Sequence, residues 1–314
     1  MQEQQPWERQ VLTDLLQAGL KEQRRARRWN IFFRLLGFGL LIVIIGLFMG
    51  WFGNKELESV STGPHTAMVS MNGEIAADGE ANVENVLDGL TQAYDDKNTK
   101  AVILSVNSPG GSPVQAGQLH DEMVRLKQKY PNIPLYVVIG DICASGCYYA
   151  AVAADRIYAD KASMVGSIGV LMDGFGFTGT MEKLGVERRL LTAGVNKGFL
   201  DPYSPLSPEQ KGKAQAMLDE IHQQFIDTVK AGRGKKLALD NPDLFSGLVW
   251  TGTTGIKLGL VDALGSVDSV AREVIKVPDV VDFTPQPGYF DRFARRIGVA
   301  AATQLGSQLK VSIH

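Results

Sequence analysis

The chain has 314 residues, 45% of them hydrophobic, with 34 acidic against 32 basic side chains and a net formal charge of -2. That length accommodates one sizeable globular domain plus appendages. The even charge excludes a strongly basic nucleic-acid binder, and the apolar content excludes a disordered chain.

Residues 1–29 are polar and carry Lys21, Arg24, Arg25, Arg27 and Arg28 just before an apolar run. Residues 35–53 (LLGFGLLIVIIGLFMGWFG) are 19 consecutive uncharged positions. At about 1.5 Å rise per residue, and with Ile31, Phe32 and Phe33 added, they reach across a hydrocarbon core of about 30 Å. A buried core helix rarely lacks a polar face over such a length. A cleaved leader fits poorly too, because Met49, Trp51 and Phe52 stand where small residues would be needed. Residues 30–53 are therefore expected to be a transmembrane anchor held in the lipid bilayer. The basic cluster before it and the mixed Lys55, Glu56 and Glu58 after it place the N-terminus in the cytoplasm. The rest of the chain is then expected outside it, in a periplasm or its equivalent.

Residues 54–66 (NKELESVSTGPHT) are polar with Gly and Pro and read as a linker. A domain over residues 67–275 follows, in which apolar runs at 67–70, 101–106 and 135–139 predict strands. Helical spacing at 81–93 and 112–130 separates them. Further elements are expected as a helix over 145–154, strands at 156–158 and 165–171, a strand-like RRLLT at 188–192, and a long helix over 208–231. This alternation predicts a mainly parallel sheet with helices on its faces. In the tail, residues 276–314, Phe290, Phe293, Ile297, Ala301, Leu305 and Leu309 recur at helical spacing, an amphipathic pattern suited to a membrane surface, a subunit or its own domain.

Cys143 and Cys147 are the only cysteines. Placed on one helical turn their Cβ atoms would sit about 5–6 Å apart, too far for a disulfide, so free buried thiols are expected. With no further ligand nearby, no zinc site is expected.

Two turns carry candidate chemistry. Residues 141–151 (DICASGCYYAA) follow an apolar strand and open a helix, a place where Ser145 can be exposed as a nucleophile or can serve as an N-cap. Residues 107–112 (NSPGGS) end another strand, and their glycines can aim N–H groups inward as an oxyanion hole requires, or can form an ordinary loop. None of the scattered His65, His120, His222 and His314 pairs with Ser145 by motif. A lysine can act as base instead when desolvation favours the neutral amine. Lys197, in the Gly- and Pro-rich stretch TAGVNKGFLDPYSPL, is either that base or a solvated loop residue.

The ordered set NSPGG, ASGCYYAA, GSIGV, Lys197 before a Pro-rich loop and helix, and GLVDALG resembles the signal peptide peptidase A family of serine proteases over residues 67–275. The resemblance implies an α/β domain of the Clp protease/crotonase-like ββα spiral type, here with an N-terminal transmembrane helix. It implies a Ser145–Lys197 dyad, with Ser167 orienting the lysine and Gly110, Gly111 and Gly146 supplying the oxyanion groups. It implies no cofactor and no metal. Its implied substrates are hydrophobic peptides, remnant signal peptides among them, in an inner-membrane setting. Its implied assembly is a homo-oligomer, taken as an octamer, in which neighbouring subunits contribute to each site. Cys147 departs from the pattern, where many relatives have Gly. Two rivals remain at this stage: a catalytically silent membrane scaffold of the same fold, and a crotonase-like acyl-CoA enzyme.

Overall fold

The computed structural model describes residues 6–48, 63–77, 79 and 81–285. The chain divides into two units, one of them Ser61–Pro285. In the other, helix α1 (Pro6–Phe48) runs unbroken from the polar segment through the basic cluster into the apolar run. Large apolar side chains stand exposed along it, from Leu35 and Leu36 through Phe38 to Val43 and Ile44. Among the described residues no helix is long and apolar enough to cross a membrane. The expected span is only partly described, since residues 49–53 lie outside the described residues. Residues 54–62 of the linker and 286–314 of the expected amphipathic tail lie outside them as well.

The unit Ser61–Pro285 is built from strands β1 (His65–Asn72), β2 (Thr99–Ser108), β3 (Leu135–Ala144), β4 (Arg156–Ala159), β5 (Met164–Gly166), β6 (Val249–Thr251), β7 (Ala263–Leu264) and β8 (Val280–Asp282). They form one sheet with a path β6-β5-β3-β2-β1-β8, and β4 pairs with both β3 and β7. Each of these pairings is parallel except β5 with β6. Crossovers use helices α2 (Val83–Asp95) and α3 (Pro113–Lys129), which link β1 to β2 and β2 to β3. Shorter helices α4 (Gly146–Ala151) and α5 (Thr178–Lys183) precede the long α6 (Pro208–Arg233).

Local sequence explains the helix limits. Ser112 caps α3 by accepting from Gln115 N, and Ser207 caps α6 by accepting from Gln210 N; each is followed by Pro at the first helical position. A capping hydroxyl satisfies an otherwise unpaired N–H, and Pro lacks the N–H that would go unpaired there. Gly234 ends α6 with φ 55°.

Strand alternation separates two cores. Val102, Leu104 and Val106 of β2 and Leu135, Val137 and Ile139 of β3 pack with Val86 and Leu90 of α2 and Leu119 and Met123 of α3. Ile103 and Val138 point to the opposite face, where they meet Tyr158 and Val270. Each such fully buried aliphatic side chain stabilises the fold by roughly 1.5–3 kcal/mol relative to exposure.

Several expectations are corrected. The strand expected over 165–171 stops at Gly166, because Ser167 adopts φ 50° and breaks the extended run. No strand forms at 188–192, and the helix expected over 145–154 spans Gly146–Ala151. Residues 276–285, read as the start of a tail, instead supply β8, whose Val281 sits beside Ala67 of β1.

Candidate active site

Two strand ends meet at the proposed chemistry. β2 closes with Asn107 and Ser108, and Asn107 ties it to β3: its side-chain oxygen accepts from Ile142 N at 3.1 Å and its amide donates to Asp141 at 3.2 Å. The turn after it is shaped by the buried Ser108, whose hydroxyl accepts from Gly110 N at 3.2 Å. Gly110 and Gly111 have φ of 102° and 146°, values open mainly to glycine. A Cβ on Gly110 would lie 2.7 Å from both Ala144 O and Gly146 N, so only glycine lets this turn press against the β3–α4 junction. Ile75 N donates to Gly110 O and Ser112 N donates to Ile75 O, which holds Gly111 between them.

At that junction Ser145 has φ 53° and ψ -125°. Its N–H donates to Gly166 O at 2.9 Å, and its carbonyl accepts from Tyr149 N at 3.0 Å. Its hydroxyl makes no cap bond to α4. The N-cap alternative therefore has no bond to support it, and Ser145 lines a cavity of roughly 340 Å³. Gly111, Ser145 and Gly146 line one part of that cavity. Neither the Gly111 nor the Gly146 N–H has an acceptor among the described backbone hydrogen bonds. A Cβ on Gly146 would sit 3.4 Å from Gly111 N, so the two donors are neighbours. Paired free N–H groups beside a hydroxyl are the arrangement that stabilises a developing oxyanion.

The remaining walls are apolar, from Pro113 and Ala116 of α3, Tyr149 of α4, Val170 and Leu171, and Ile221 and Phe225 of α6, with Glu74 and Gln224 as polar members. His222 Nε2 donates to Ile168 O at 3.1 Å and fixes the segment that carries Val170 and Leu171. Ser167 follows Gly166 directly, and its N–H donates to Leu248 O at 2.8 Å. The fold thus gathers Ser145, Gly110, Gly111, Gly146 and Ser167 at one place. Lys197 is exposed, does not line the cavity, and sits in a turn where its N–H donates to Gly194 O at 3.1 Å. It belongs to a stretch, residues 171–206, that leaves Leu171, Phe175, Leu184, Leu191 and Val195 largely exposed, the last two at 96% and 97%.

The expectation of free cysteines is overturned. Cys143 and Cys147 form a disulfide with their Cα atoms 5.2 Å apart. The two residues do not share a helical turn: Cys143 is the penultimate residue of β3, Cys147 lies in α4, and the positive-φ backbone at Ser145 folds one back toward the other. Glu74, Tyr149, Ile221 and Phe225 were not singled out from sequence. Only the apolar periodicity of α6 could have pointed to the last two.

The profile of peptidase family S49 matches residues 127–280, a segment that holds Ser145, Ser167 and Lys197. A Synechocystis sp. protein with a protease name is 32% identical over 213 residues, 68% of this chain and 74% of that protein. An Enterococcus faecium protein named for signal peptide peptidase SppA is 29% identical over 281 residues, 79% of this chain and 81% of that protein. A Brucella abortus protein named Na(+)/H(+) antiporter NhaA is 48% identical over 184 residues, 59% of this chain, and the match spans only 25% of its length.

Proposed function

The chain belongs to peptidase family S49, and from that premise we propose that it is a membrane-anchored serine endopeptidase acting on hydrophobic peptides, remnant signal peptides among them. One observation carries the reading: the uncapped Ser145 hydroxyl beside the unpaired N–H groups of Gly111 and Gly146, on a cavity whose lining mixes polar groups with the apolar side chains of Pro113, Tyr149, Ile221 and Phe225.

Ser145 Oγ attacks the scissile carbonyl while the Lys197 amine takes its proton, and the two N–H groups receive the oxyanion. The Lys197 ammonium then protonates the leaving amine, an acyl-enzyme remains on Ser145, and a water activated by Lys197 releases the acid. Ser167 orients the lysine amine. The apolar walls supplied by Tyr149, Ile221 and Phe225 favour hydrophobic side chains.

The setting follows from the same residues. Residues 30–53 anchor the chain in the inner membrane with its N-terminus cytoplasmic and the catalytic unit periplasmic; the uncharged run 35–53 and the basic cluster before it support this. The Cys143–Cys147 disulfide supports an oxidising compartment as well. The parallel strand–helix order supports a Clp protease/crotonase-like ββα spiral. Exposure of Leu191 and Val195 beside Lys197 supports a homo-oligomer in which that stretch is covered and Lys197 reaches a serine; the octamer rests on the family resemblance alone.

The test compares cleavage of a fluorogenic hydrophobic peptide by detergent-solubilised wild type, Ser145→Ala and Lys197→Ala, with folding followed by circular dichroism. Loss of about four orders of magnitude in both folded variants is expected. Near wild-type rates in Lys197→Ala would place the base elsewhere, and an inert wild type would return the silent scaffold.

A further inference from the structure

We infer that the Cys143–Cys147 disulfide braces Ser145 in its attacking pose, which makes both cysteines positioning residues for the reaction. The inference rests on the reading of Ser145 as nucleophile.

Only Ala144, Ser145 and Gly146 lie between the bridged residues. Of these, Ser145 carries the costly conformation: a side chain at φ 53° is rarely tolerated unless its surroundings impose it. Both anchor points are fixed. Cys143 is fully buried and lies opposite Ser108 on one side and Val165 on the other. Cys147 is fully buried in the first turn of α4, among the core residues. Joining them covalently fixes the span that the three intervening residues must cross.

With the bond open, the simplest relaxation is rotation of the peptide units flanking Ser145 toward negative φ. That movement weakens the Ser145 N–H bond to Gly166 O and turns the Gly146 N–H away from the Gly111 N–H. Pro113 and Ala116 of α3 and Ile221 and Phe225 of α6 line the cavity from outside the rotating peptide units, so these substrate-binding walls stay in place. The loss therefore falls on the chemical step, because the oxyanion donors act only as charge develops.

The experiment uses the full chain in detergent. Denaturation without reductant followed by iodoacetamide should give no alkylated cysteine, and two after reduction; two adducts without reductant would overturn the proposal. Cys143→Ala/Cys147→Ala should lose about tenfold to a hundredfold in kcat per site titrated with a fluorophosphonate, with KM within about twofold. Reduction of the folded wild type by a small dithiol consumes two electrons and two protons, gives two thiols and leaves the reagent as its cyclic disulfide. That treatment should cause the same loss with both side chains still present, and oxidised glutathione should restore the rate. Restoration separates the bond from side-chain volume and from general destabilisation, and it applies even where the double variant fails to fold. An unchanged kcat in the reduced enzyme, or a loss confined to KM, would overturn the brace. An inert wild type indistinguishable from Ser145→Ala would instead overturn the protease reading.

Discussion

At Ser145 the chain holds a side chain where glycine would be at ease, with φ 53° and ψ -125°. A residue held in such a conformation costs about 1–3 kcal/mol, which the surroundings must offset. Ser145→Gly is therefore expected to raise the stability of the folded chain by about 1 kcal/mol while abolishing cleavage, whereas Ser145→Ala abolishes cleavage with no such gain. Urea unfolding of the three proteins checks this, and a Gly variant less stable than the Ala variant would show that the turn is not strained. Gly110→Ala should act in the opposite sense. Its Cβ would lie 2.7 Å from Ala144 O and Gly146 N at φ 102°, so it should destabilise by about 1–3 kcal/mol. By displacing the proposed oxyanion donors it should also cut kcat/KM by about a hundredfold. In sequence both motifs could be placed as turns at strand ends, but each kept an ordinary alternative, N-cap for Ser145 and plain loop for Gly110, and only the family resemblance assigned them roles. The cysteine pair was misread because a spacing of four suggests one helical turn, and only the backbone at Ser145 shows that a strand end and a helix start intervene. Glu74 and Phe225 were illegible because the cavity joins them from positions about 70 residues before and 80 residues after Ser145 in the chain.

Among the elements, the long helix expected over 208–231 forms as α6, which carries Ile221 and Phe225 to the cavity and is clamped at its C-terminal end. Arg233, almost fully buried at its C-terminus, donates to Gly259 O and to Asp262 at 2.9 Å and 2.8 Å. Asp262 also accepts from Lys236 at 2.6 Å and from Ile157 N of β4 at 2.8 Å. Burial alone would raise the Asp262 carboxyl, but the hydrogen bonds from Arg233 and Lys236 outweigh it and hold the group below its ordinary value. A carboxylate depressed in the folded state contributes stability that is full above the unfolded pKa of about 3.9 and disappears as pH falls through the folded value. Acid titration of the thermal midpoint should therefore show a decline setting in near pH 4. Asp262→Asn should lower stability at pH 7 by about 3 kcal/mol, because it strands a buried guanidinium, and should flatten that decline. A variant with unchanged stability at pH 7 would remove the clamp as an explanation. The failure at 165–171 has a local cause: the run is apolar enough for a strand, but Ser167 at φ 50° turns it, and Val170 and Leu171 become cavity wall instead.

For the whole molecule, the parallel sheet was legible from the alternation of apolar runs with helical spacing, whereas the position of Lys197 was not. Periodicity reports which face of an element meets its own core, and Lys197 lies in a stretch with little core of its own. Leu191 and Val195 are 96% and 97% exposed there. A second copy of the chain is the covering surface proposed for them, and it would bring an exposed lysine to a serine across a subunit boundary. Mixing then discriminates. Ser145→Ala retains a working lysine and Lys197→Ala a working serine, so subunits of the two inert variants exchanged into the proposed homo-oligomer should regain activity. If each site takes its serine from one subunit and its lysine from the next, random assembly makes about a quarter of the sites complete. Recovery near that fraction of the wild-type rate is expected, and it should vanish when both variants also carry Leu191→Asp and Val195→Asp, with native mass spectrometry reporting smaller assemblies. Mixed oligomers of unchanged size that stay inert would mean that each lysine serves its own chain, and the stretch around Lys197 must then close over the cavity within one subunit.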